Sequence, residues 1–147
     1  MNELNVKIKK VKSNATLPEY QTEYSAGMDL HACIDEPIIL NSMDRYIIPT
    51  GLAVELPVGY EMQIRARSSL GAKYGVTMAN GVGTIDSDYR GEISVALINL
   101  SKEPFVVEPK MRIAQAVIAR YEHVIWQESS DLSETKRGNG GFGSTGK

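Results

Sequence analysis

The sequence predicts an all-β protein, on two observations. Short apolar runs recur along the 147-residue chain and are separated by Gly, Pro or Asn, at the spacing of about 8 to 12 residues that is typical of β-sandwiches and barrels. No segment shows the sustained period of a long amphipathic helix. The pattern favours a sandwich, a barrel or a jelly roll and leaves the choice among the three open.

The first predicted strand lies near the N-terminus, where Leu4, Val6 and Ile8 alternate with polar residues. A period of two residues indicates a half-buried strand. The clearest alternation spans residues 60–67, where Tyr, Met, Ile and Ala interleave with Glu, Gln and Arg. One face of that strand is therefore expected to lie in the core and the other to be charged. Shorter apolar runs predict further strands at residues 38–40, 46–48, 52–56, 105–107 and 112–118.

The segment 92–100 differs from these strands because both of its alternating sets are largely apolar. One face would hold Ile93, Val95 and Leu97, and the opposite face includes Ala96. Strands that are apolar on both faces are typically buried on both sides. This segment is therefore predicted to be a central strand.

One short helix is predicted between the strands, in the segment RSSLGAKYG at residues 67–75. Its serines are candidate N-cap residues, and Gly75 could end the helix after one or two turns. A helix start beside the guanidinium of Arg67 is suited to binding an anion. An ordinary helix at a corner of the fold is equally consistent with these residues.

The segment NGVGTIDSDYRG, residues 80–91, sets two carboxylates and an aromatic ring between glycines. Residues 88–91 fit a type I turn, with Asp88 first and Gly91 last, which would leave Asp86 at the end of a strand. Such a segment could hold a small polar ligand against a general base. A structural hairpin is equally consistent with the segment taken alone.

Two further polar residues stand in apolar surroundings. Asp29 lies between Met28 and Leu30, and a hydrogen-bonded aspartate on the surface is the favoured interpretation. Gln115 lies among small apolar residues, where an unpaired buried amide costs roughly 1 to 3 kcal/mol. A structural hydrogen bond to a loop is the default expectation for this amide.

Composition limits the class of protein. The length suits one domain, and the single cysteine, Cys33, excludes an intrachain disulfide and suits a reducing compartment. No long apolar run or signal peptide is present in the sequence, so we expect a cytoplasmic protein with no membrane partner. Its net charge of −2 disfavours nucleic-acid binding, although a small phosphorylated ligand needs only a few cations.

The last twenty residues change in character. A folded core is predicted for residues 1–127 and a flexible arm for residues 128–147, because the arm has few apolar residues and many glycines. The arm contains RGNGGFGSTG, in which Arg137 and Phe142 stand among glycines and hydroxyl residues. Such residues could form a phosphate-binding loop and a stacking surface. A flexible linker would explain the glycines but neither Arg137 nor Phe142.

Five segments stand in order along the chain, AGMDL, RSSLGAKYG, NGVGTIDSDYRG, RIAQAVI and RGNGGFGSTG. Together they resemble the five motifs of the homotrimeric dUTPase family, over residues 26–146. The resemblance implies a single distorted jelly-roll (β-clip) domain with one short helix, assembled as a homotrimer with shared active sites. Each site would take the first, second and fourth motifs from one subunit, the third from another and the arm from the remaining one. Ser69 departs from the family, since many members have glycine there.

The resemblance also implies roles for individual residues. Asp86 would activate the attacking water, Tyr89 would pack against the deoxyribose, and Phe142 would stack on the uracil. Mg²⁺, the implied cofactor, would be held mainly by the substrate phosphates, with Asp29 contacting it through water, while Arg112 would stabilise the site. The implied substrate-binding residues are Arg67, Ser68, Ser69, Asn80, Gly83, Thr84, Ile85, Tyr89, Gln115, Arg137, Phe142, Gly143, Ser144 and Thr145.

The implied activity is hydrolysis of dUTP to dUMP and pyrophosphate, which keeps uracil out of DNA and supplies dUMP for thymidylate synthesis. A dCTP deaminase of the same fold is the nearest alternative, but the glutamate base which that family uses has no counterpart among these segments. A non-catalytic jelly-roll binding or regulatory module would explain the strands and leave Asp86, Gln115 and the arm unexplained. His31 and His123 are expected to be incidental.

Overall fold

The computed structural model describes residues 3–143, and the secondary structure of this part is almost entirely β, as the sequence predicts. A single short helix, α1, lies among twelve strands in the described residues. The elements in chain order are β1 (Lys7–Lys10), β2 (Glu19–Tyr20), β3 (Met28–His31), β4 (Ile38–Leu40), β5 (Arg45–Pro49), β6 (Leu52–Glu55), β7 (Tyr60–Ala66), α1 (Ser68–Tyr74), β8 (Val76–Met78), β9 (Gly83–Ile85), β10 (Ser94–Asn99), β11 (Phe105–Val107) and β12 (Arg112–Arg120).

The strands form small antiparallel sheets that pack around one core. The largest has the order β2-β3-β12-β7-β9, and a second has the order β5-β10-β8. Two-stranded sheets, β1-β6 and β4-β11, complete the described fold. The five-stranded sheet includes or adjoins four of the five segments singled out in the sequence, so it positions most of the candidate site.

Strand β10 is central in its sheet, as predicted, with β5 and β8 on either side. Val95 and Leu97 are fully buried on its inner face. Ala96 and Ile98, on the opposite face, are only half-buried in the protomer. The prediction that both faces are buried is therefore wrong for the isolated chain, because its second face remains partly open to solvent.

The N-terminal strand begins later and is more exposed than its alternation predicts. Strand β1 starts at Lys7, and Leu4 and Ile8 are 40% and 39% exposed. It pairs with β6 in a ribbon of two strands, and such a ribbon buries little on its own. The prediction of a half-buried strand is therefore only partly correct for the protomer: Val6 packs against the core, whereas Leu4 and Ile8 remain exposed.

Helix α1 ends where the sequence predicts but begins differently. Gly75 adopts a left-handed conformation with φ of 66° and donates its N–H to the carbonyl of Gly71, which closes the last turn. The N-cap residue is Arg67, without a side-chain capping bond, so the prediction of a serine cap is wrong. Both serines lie inside the first turn because the chain turns one residue earlier. Within residues 3–143, no helix is long and apolar enough to cross a membrane.

The sheet structure ends at Arg120, and residues 121–143 contain neither helix nor strand. The large apolar side chains of this segment include Ile125, Trp126 and Leu132, which are at least 90% exposed. The described part of the C-terminal segment therefore adds little to the core. The boundary at residue 127 stays a prediction, although regular structure already stops seven residues earlier.

Candidate active site

The first group of site residues surrounds the carboxylate of Asp29. Arg67 Nε lies 3.3 Å from its Oδ1, and Arg112 Nη1 donates to its Oδ2 at 3.1 Å. Gln115 Nε2 donates to Oδ1 at 3.4 Å. Asp29 is only 1% exposed, so the favoured interpretation of a surface aspartate is wrong: the two arginines compensate its burial.

Strand pairing brings these residues together. Gln115 on β12 lies directly opposite Asp29 on β3, so both side chains share one face of the five-stranded sheet. The register between β3 and β12 shifts between Arg112 and Ala114, and such an irregularity changes the direction of nearby side chains. Gly27 lies against the Gln115 side chain, which an added Cβ would meet at 3.4 Å, an ordinary van der Waals contact.

This group has an excess of positive charge. Two guanidinium groups share one carboxylate, and the Arg67 and Arg112 side chains are 19% and 47% exposed. Arg67 also donates to the carbonyl of Arg112 at 3.3 Å, which fixes one arginine relative to the other. Ser68 and Ser69 follow in the first turn of α1, where backbone N–H groups lack partners within the helix. The arrangement is suited to binding a phosphate group.

His31 lies beside the same group, paired in register with Arg112. Its Nδ1 is buried without a hydrogen-bond partner among the described residues. Burial lowers the pKa of His31, although the neighbouring Asp29 carboxylate opposes that shift. The imidazole is therefore held towards its neutral form, and the expectation that it is incidental stays a prediction.

The second group lies at one edge of the sheet, on β9. This strand pairs with β7 on one side and is the last strand of the sheet. Its other edge therefore has backbone N–H and C=O groups that could pair with a planar polar ligand. Gly83 is buried here, and an added Cβ would lie 3.2 Å from Ile64 Cβ and 3.4 Å from Asn80 Nδ2. Thr84 is exposed and Ile85 is half-buried.

Asp86 follows β9 directly, at the end of the strand as predicted, and is exposed. The turn itself is two residues earlier than predicted, because the Tyr89 N–H donates to the carbonyl of Asp86 at 3.2 Å. Asp86, and not Asp88, thus occupies the first turn position, where aspartate is favoured. Arg90 Nη1 donates to the carbonyls of Ser87 and Tyr89 at 2.7 and 2.9 Å and stabilises the turn.

The Tyr89 ring lies back over the chain that follows it. Its hydroxyl donates to the carbonyl of Glu92 at 3.1 Å, and the residue remains 43% exposed. The Glu92 carboxylate in turn accepts the Gly51 N–H at 2.8 Å. The contributions of Arg90 and Glu92 were missed from the sequence because charged residues beside a turn have no distinctive pattern.

The third group belongs to the C-terminal segment. Arg137 Nε donates to the carbonyl of Gly140 at 2.9 Å, which holds the side chain within its own turn. Phe142 is fully exposed, and Gly143 has φ of 90°. Ser144 and Thr145 lie outside the described residues. No hydrogen bond or ion pair among residues 3–143 connects the three groups to one another.

The described residues do not form a metal site of their own. Residues 3–143 contain no group of three or more His, Cys, Asp or Glu side chains arranged to hold a metal ion. Asp29 is engaged by two arginines and a glutamine. Nucleotide phosphates can supply most of the oxygen ligands of Mg²⁺, so such an ion can be carried by a ligand.

The dUTPase family model matches residues 13–146. The chain therefore belongs to the dUTPase family. The deoxyuridine 5'-triphosphate nucleotidohydrolase of Rickettsia felis is 59% identical over 142 residues, which cover 96% of each chain.

Solved dUTPase structures have the same fold. The dUTPase of Staphylococcus bacteriophage 80alpha with dUPNHPP superposes with a TM-score of 0.87 at 25% identity, over 97% of this chain and 98% of the other. A mutant of the dUTPase from phage phi11 of S. aureus, described with a structural Mg(II) ion, gives a TM-score of 0.80 at 19% identity, over 89% and 100%. The jelly-roll-like fold predicted by the resemblance is thereby confirmed.

Proposed function

We propose that this chain hydrolyses dUTP to dUMP and pyrophosphate as a homotrimer with shared active sites. The observation that carries the proposal is the exposed carboxylate of Asp86, at the end of edge strand β9 and three residues before Tyr89. It occurs in a member of the dUTPase family matched over residues 13–146. The relatives named deoxyuridine 5'-triphosphate nucleotidohydrolase support the same substrate.

Asp86 is the general base of the proposed reaction. Its carboxylate accepts a proton from a water molecule as the water oxygen forms a bond to the α-phosphorus. The bond from that phosphorus to the bridging oxygen breaks, and pyrophosphate leaves with the electron pair. The exposed position of Asp86 supports this role, since a base must reach both water and substrate.

Arg67 is the main phosphate-binding side chain in this proposal. Two guanidinium groups against one carboxylate leave an excess positive charge for the triphosphate. Ser68, Ser69 and Gln115 add donors on the same side, and Arg112 holds Asp29 in place. Arg137, Gly143, Ser144 and Thr145 would bind the phosphates from the arm of another subunit.

The uracil base is proposed to pair with the free edge of β9. Gly83, Thr84 and Ile85 contribute the backbone of that edge, and the Asn80 amide lies close to Gly83. Phe142 would stack on the base from the arm, which agrees with its complete exposure in the protomer. Tyr89 would contact the deoxyribose with the part of its ring that remains exposed.

Mg²⁺ enters the proposal as a component of the nucleotide substrate. When bound to the triphosphate, it supplies positive charge that offsets the charge of the phosphates. Asp29 could contact the hydration shell of this ion only after a guanidinium has moved, because the carboxylate is 1% exposed and already paired. We therefore assign Asp29 a supporting role through water.

The homotrimer is supported by surfaces that a single chain leaves open. No hydrogen bond or ion pair among the described residues connects the three groups of site residues, and shared sites would bring groups from different subunits together. Ile39, Ile47 and Trp126 are 61%, 68% and 90% exposed, and burying such side chains between subunits would stabilise an oligomer. We assign residues 1–127 to the core of each subunit and residues from 128 onward to an arm that reaches a neighbour.

The test compares two carboxylates of one turn. Asp86→Asn should lower the rate of pyrophosphate release from dUTP by about 10²- to 10⁴-fold, because it removes the general base. Its affinity for a non-hydrolysable dUTP analogue should change little. Asp88→Asn, a matched change in the same turn, should keep most of the activity. Equal losses of binding and rate in Asp86→Asn would contradict the base role.

Nucleotide specificity tests the substrate separately from the base. The parent protein should release pyrophosphate from dUTP in preference to dCTP, dTTP and UTP. Formation of dUTP from dCTP would identify a deaminase instead. Binding of nucleotides without turnover would identify a non-catalytic module and refute the proposal.

A further inference from the structure

We propose that Gly91 is a positioning residue that determines sugar selectivity, by leaving the space in which the Tyr89 ring lies. This inference rests on the proposed function, in which Tyr89 contacts the deoxyribose. It extends the role of the segment from the tyrosine to the glycine two residues later.

The Tyr89 ring occupies the position that a side chain at residue 91 would need. A Cβ added to Gly91 would overlap the hydroxyl oxygen and two ring carbons of Tyr89. The backbone at Gly91 does not lie in the left-handed region that favours glycine. The glycine is therefore required here for space and not for its backbone conformation.

The hydrogen bond of the Tyr89 hydroxyl restricts the ring further. The Tyr89 hydroxyl donates to the carbonyl of Glu92, and the Glu92 carboxylate accepts the Gly51 N–H. The next residue, Ile93, is buried and donates its N–H to the carbonyl of Leu52 at 2.7 Å. The segment that accepts the Tyr89 hydroxyl, residues 92–93, is thus hydrogen-bonded to residues 51–52 at the start of β6.

The position of the Tyr89 ring against Gly91 determines which part of the ring can contact a sugar. The ring rests on Gly91, so its exposed part is the part that remains available to a sugar. A ribose differs from a deoxyribose by a single oxygen atom, and a pocket rejects such an addition only if its wall cannot yield. An apolar pocket discriminates against an added hydroxyl by about 10²-fold. If a methyl group at residue 91 displaced the Tyr89 ring, the discrimination against ribonucleotides should fall by much of that factor.

The experiment is a double-mutant cycle read out as the ratio of kcat/KM for dUTP to kcat/KM for UTP. Gly91→Ala should lower this ratio about 10-fold, a substantial part of the discrimination available to such a pocket. Tyr89→Ala should lower the ratio at least as much. In the double variant, Gly91→Ala should add no further loss, because it acts through the ring that is now absent.

Gly59→Ala is the control for a general loss of stability. Gly59 has φ of 87°, and an added Cβ would meet nothing within 4 Å. Alanine there strains the backbone of the turn before β7, and its Cβ would contact no other residue, Tyr89 included. The control should therefore be less stable than the parent protein and keep the parent's nucleotide ratio.

The outcomes separate this inference from the proposed function. A parent protein that hydrolyses neither nucleotide overturns both. If the parent prefers dUTP and Gly91→Ala has the same nucleotide ratio as the parent, only the role of Gly91 is overturned. The same holds if Gly91→Ala lowers the ratio as much in the Tyr89→Ala background as it does in the parent. If Gly91→Ala alone does not fold, recovery of folding in the double variant supports the inference, and equal failure of the double variant overturns it.

Discussion

Replacing Asp29 with asparagine tests the group on which the phosphate-binding side of the site depends. The substitution keeps the shape of the side chain and one oxygen acceptor, and it removes the negative charge. Arg67 and Arg112 would then face each other without a counterion. Since Asp29 is 1% exposed, water cannot readily replace the lost charge.

The expected loss of stability follows from the distances and exposures. Removing one partner of a fully buried ion pair costs about 3 to 5 kcal/mol. Here the contacts are 3.1 to 3.4 Å, long for charged hydrogen bonds, and both guanidinium groups are partly exposed. We therefore expect the free energy of unfolding to fall by about 2 kcal/mol, the value for a hydrogen bond to a charged group. For a chain of this size, Tm should fall by about 4 to 8 °C.

The measurement is urea unfolding followed by far-ultraviolet circular dichroism. The single tryptophan, Trp126, is 90% exposed and would report poorly on the core. Protein concentration must be fixed, because an oligomer gains apparent stability with concentration.

Glu55→Gln is the matched control for this change. It alters a carboxylate in the same way, at the exposed pair that Glu55 forms with Lys7 at 2.9 Å. Exposed pairs contribute little, so this variant should unfold close to the parent. An Asp29→Asn variant as stable as the parent, or no less stable than Glu55→Gln, would refute the reasoning.

Two further predictions concern the C-terminal segment and a histidine. Removing all residues after Ser130 should leave a folded trimer with little activity, because Leu132 and Phe142 are exposed in the protomer; monomers in light scattering would make the segment structural. Burial lowers the pKa of His31 from its ordinary value of 6.5. As the pH falls, this histidine therefore binds a proton in the unfolded chain before it does so in the folded protein. The free energy of unfolding should fall as the pH drops below about 6.5. His31→Asn should lose this part of the pH dependence in urea unfolding, whereas the exposed His123→Asn should keep it; equal curves for the two variants would contradict the assignment.

Local sequence patterns predicted correctly the elements whose structure depends on nearby residues. The alternation at residues 60–67 became β7, Tyr60–Ala66, because Met62 and Ile64 on one face of this strand are buried in the core. Gly75 ended α1 because its left-handed conformation is a local property of the chain. Strand β1 was predicted less well, since its burial depends on what lies beside a two-stranded ribbon.

The site was harder to predict where residues distant in sequence meet. Asp29 contacts Arg112, 83 residues further along the chain. Without that contact, a lone aspartate is best interpreted as exposed, and the sequence-based interpretation was wrong for this reason. The turn after β9 was displaced by two residues because two aspartates, Asp86 and Asp88, could each occupy its first position.

The contacts that stabilise the buried Asp29 carboxylate also determine which arginine could leave it to bind a substrate phosphate. One carboxylate cannot neutralise two guanidinium groups, so the group keeps a positive charge while each arginine remains held. In the proposed reaction, a triphosphate would compete with Asp29 for Arg67, and Arg112 would remain to compensate the buried carboxylate. A single arginine could not do both, because moving it to the phosphate would leave Asp29 buried and unpaired. The second arginine therefore lowers the cost of releasing the first.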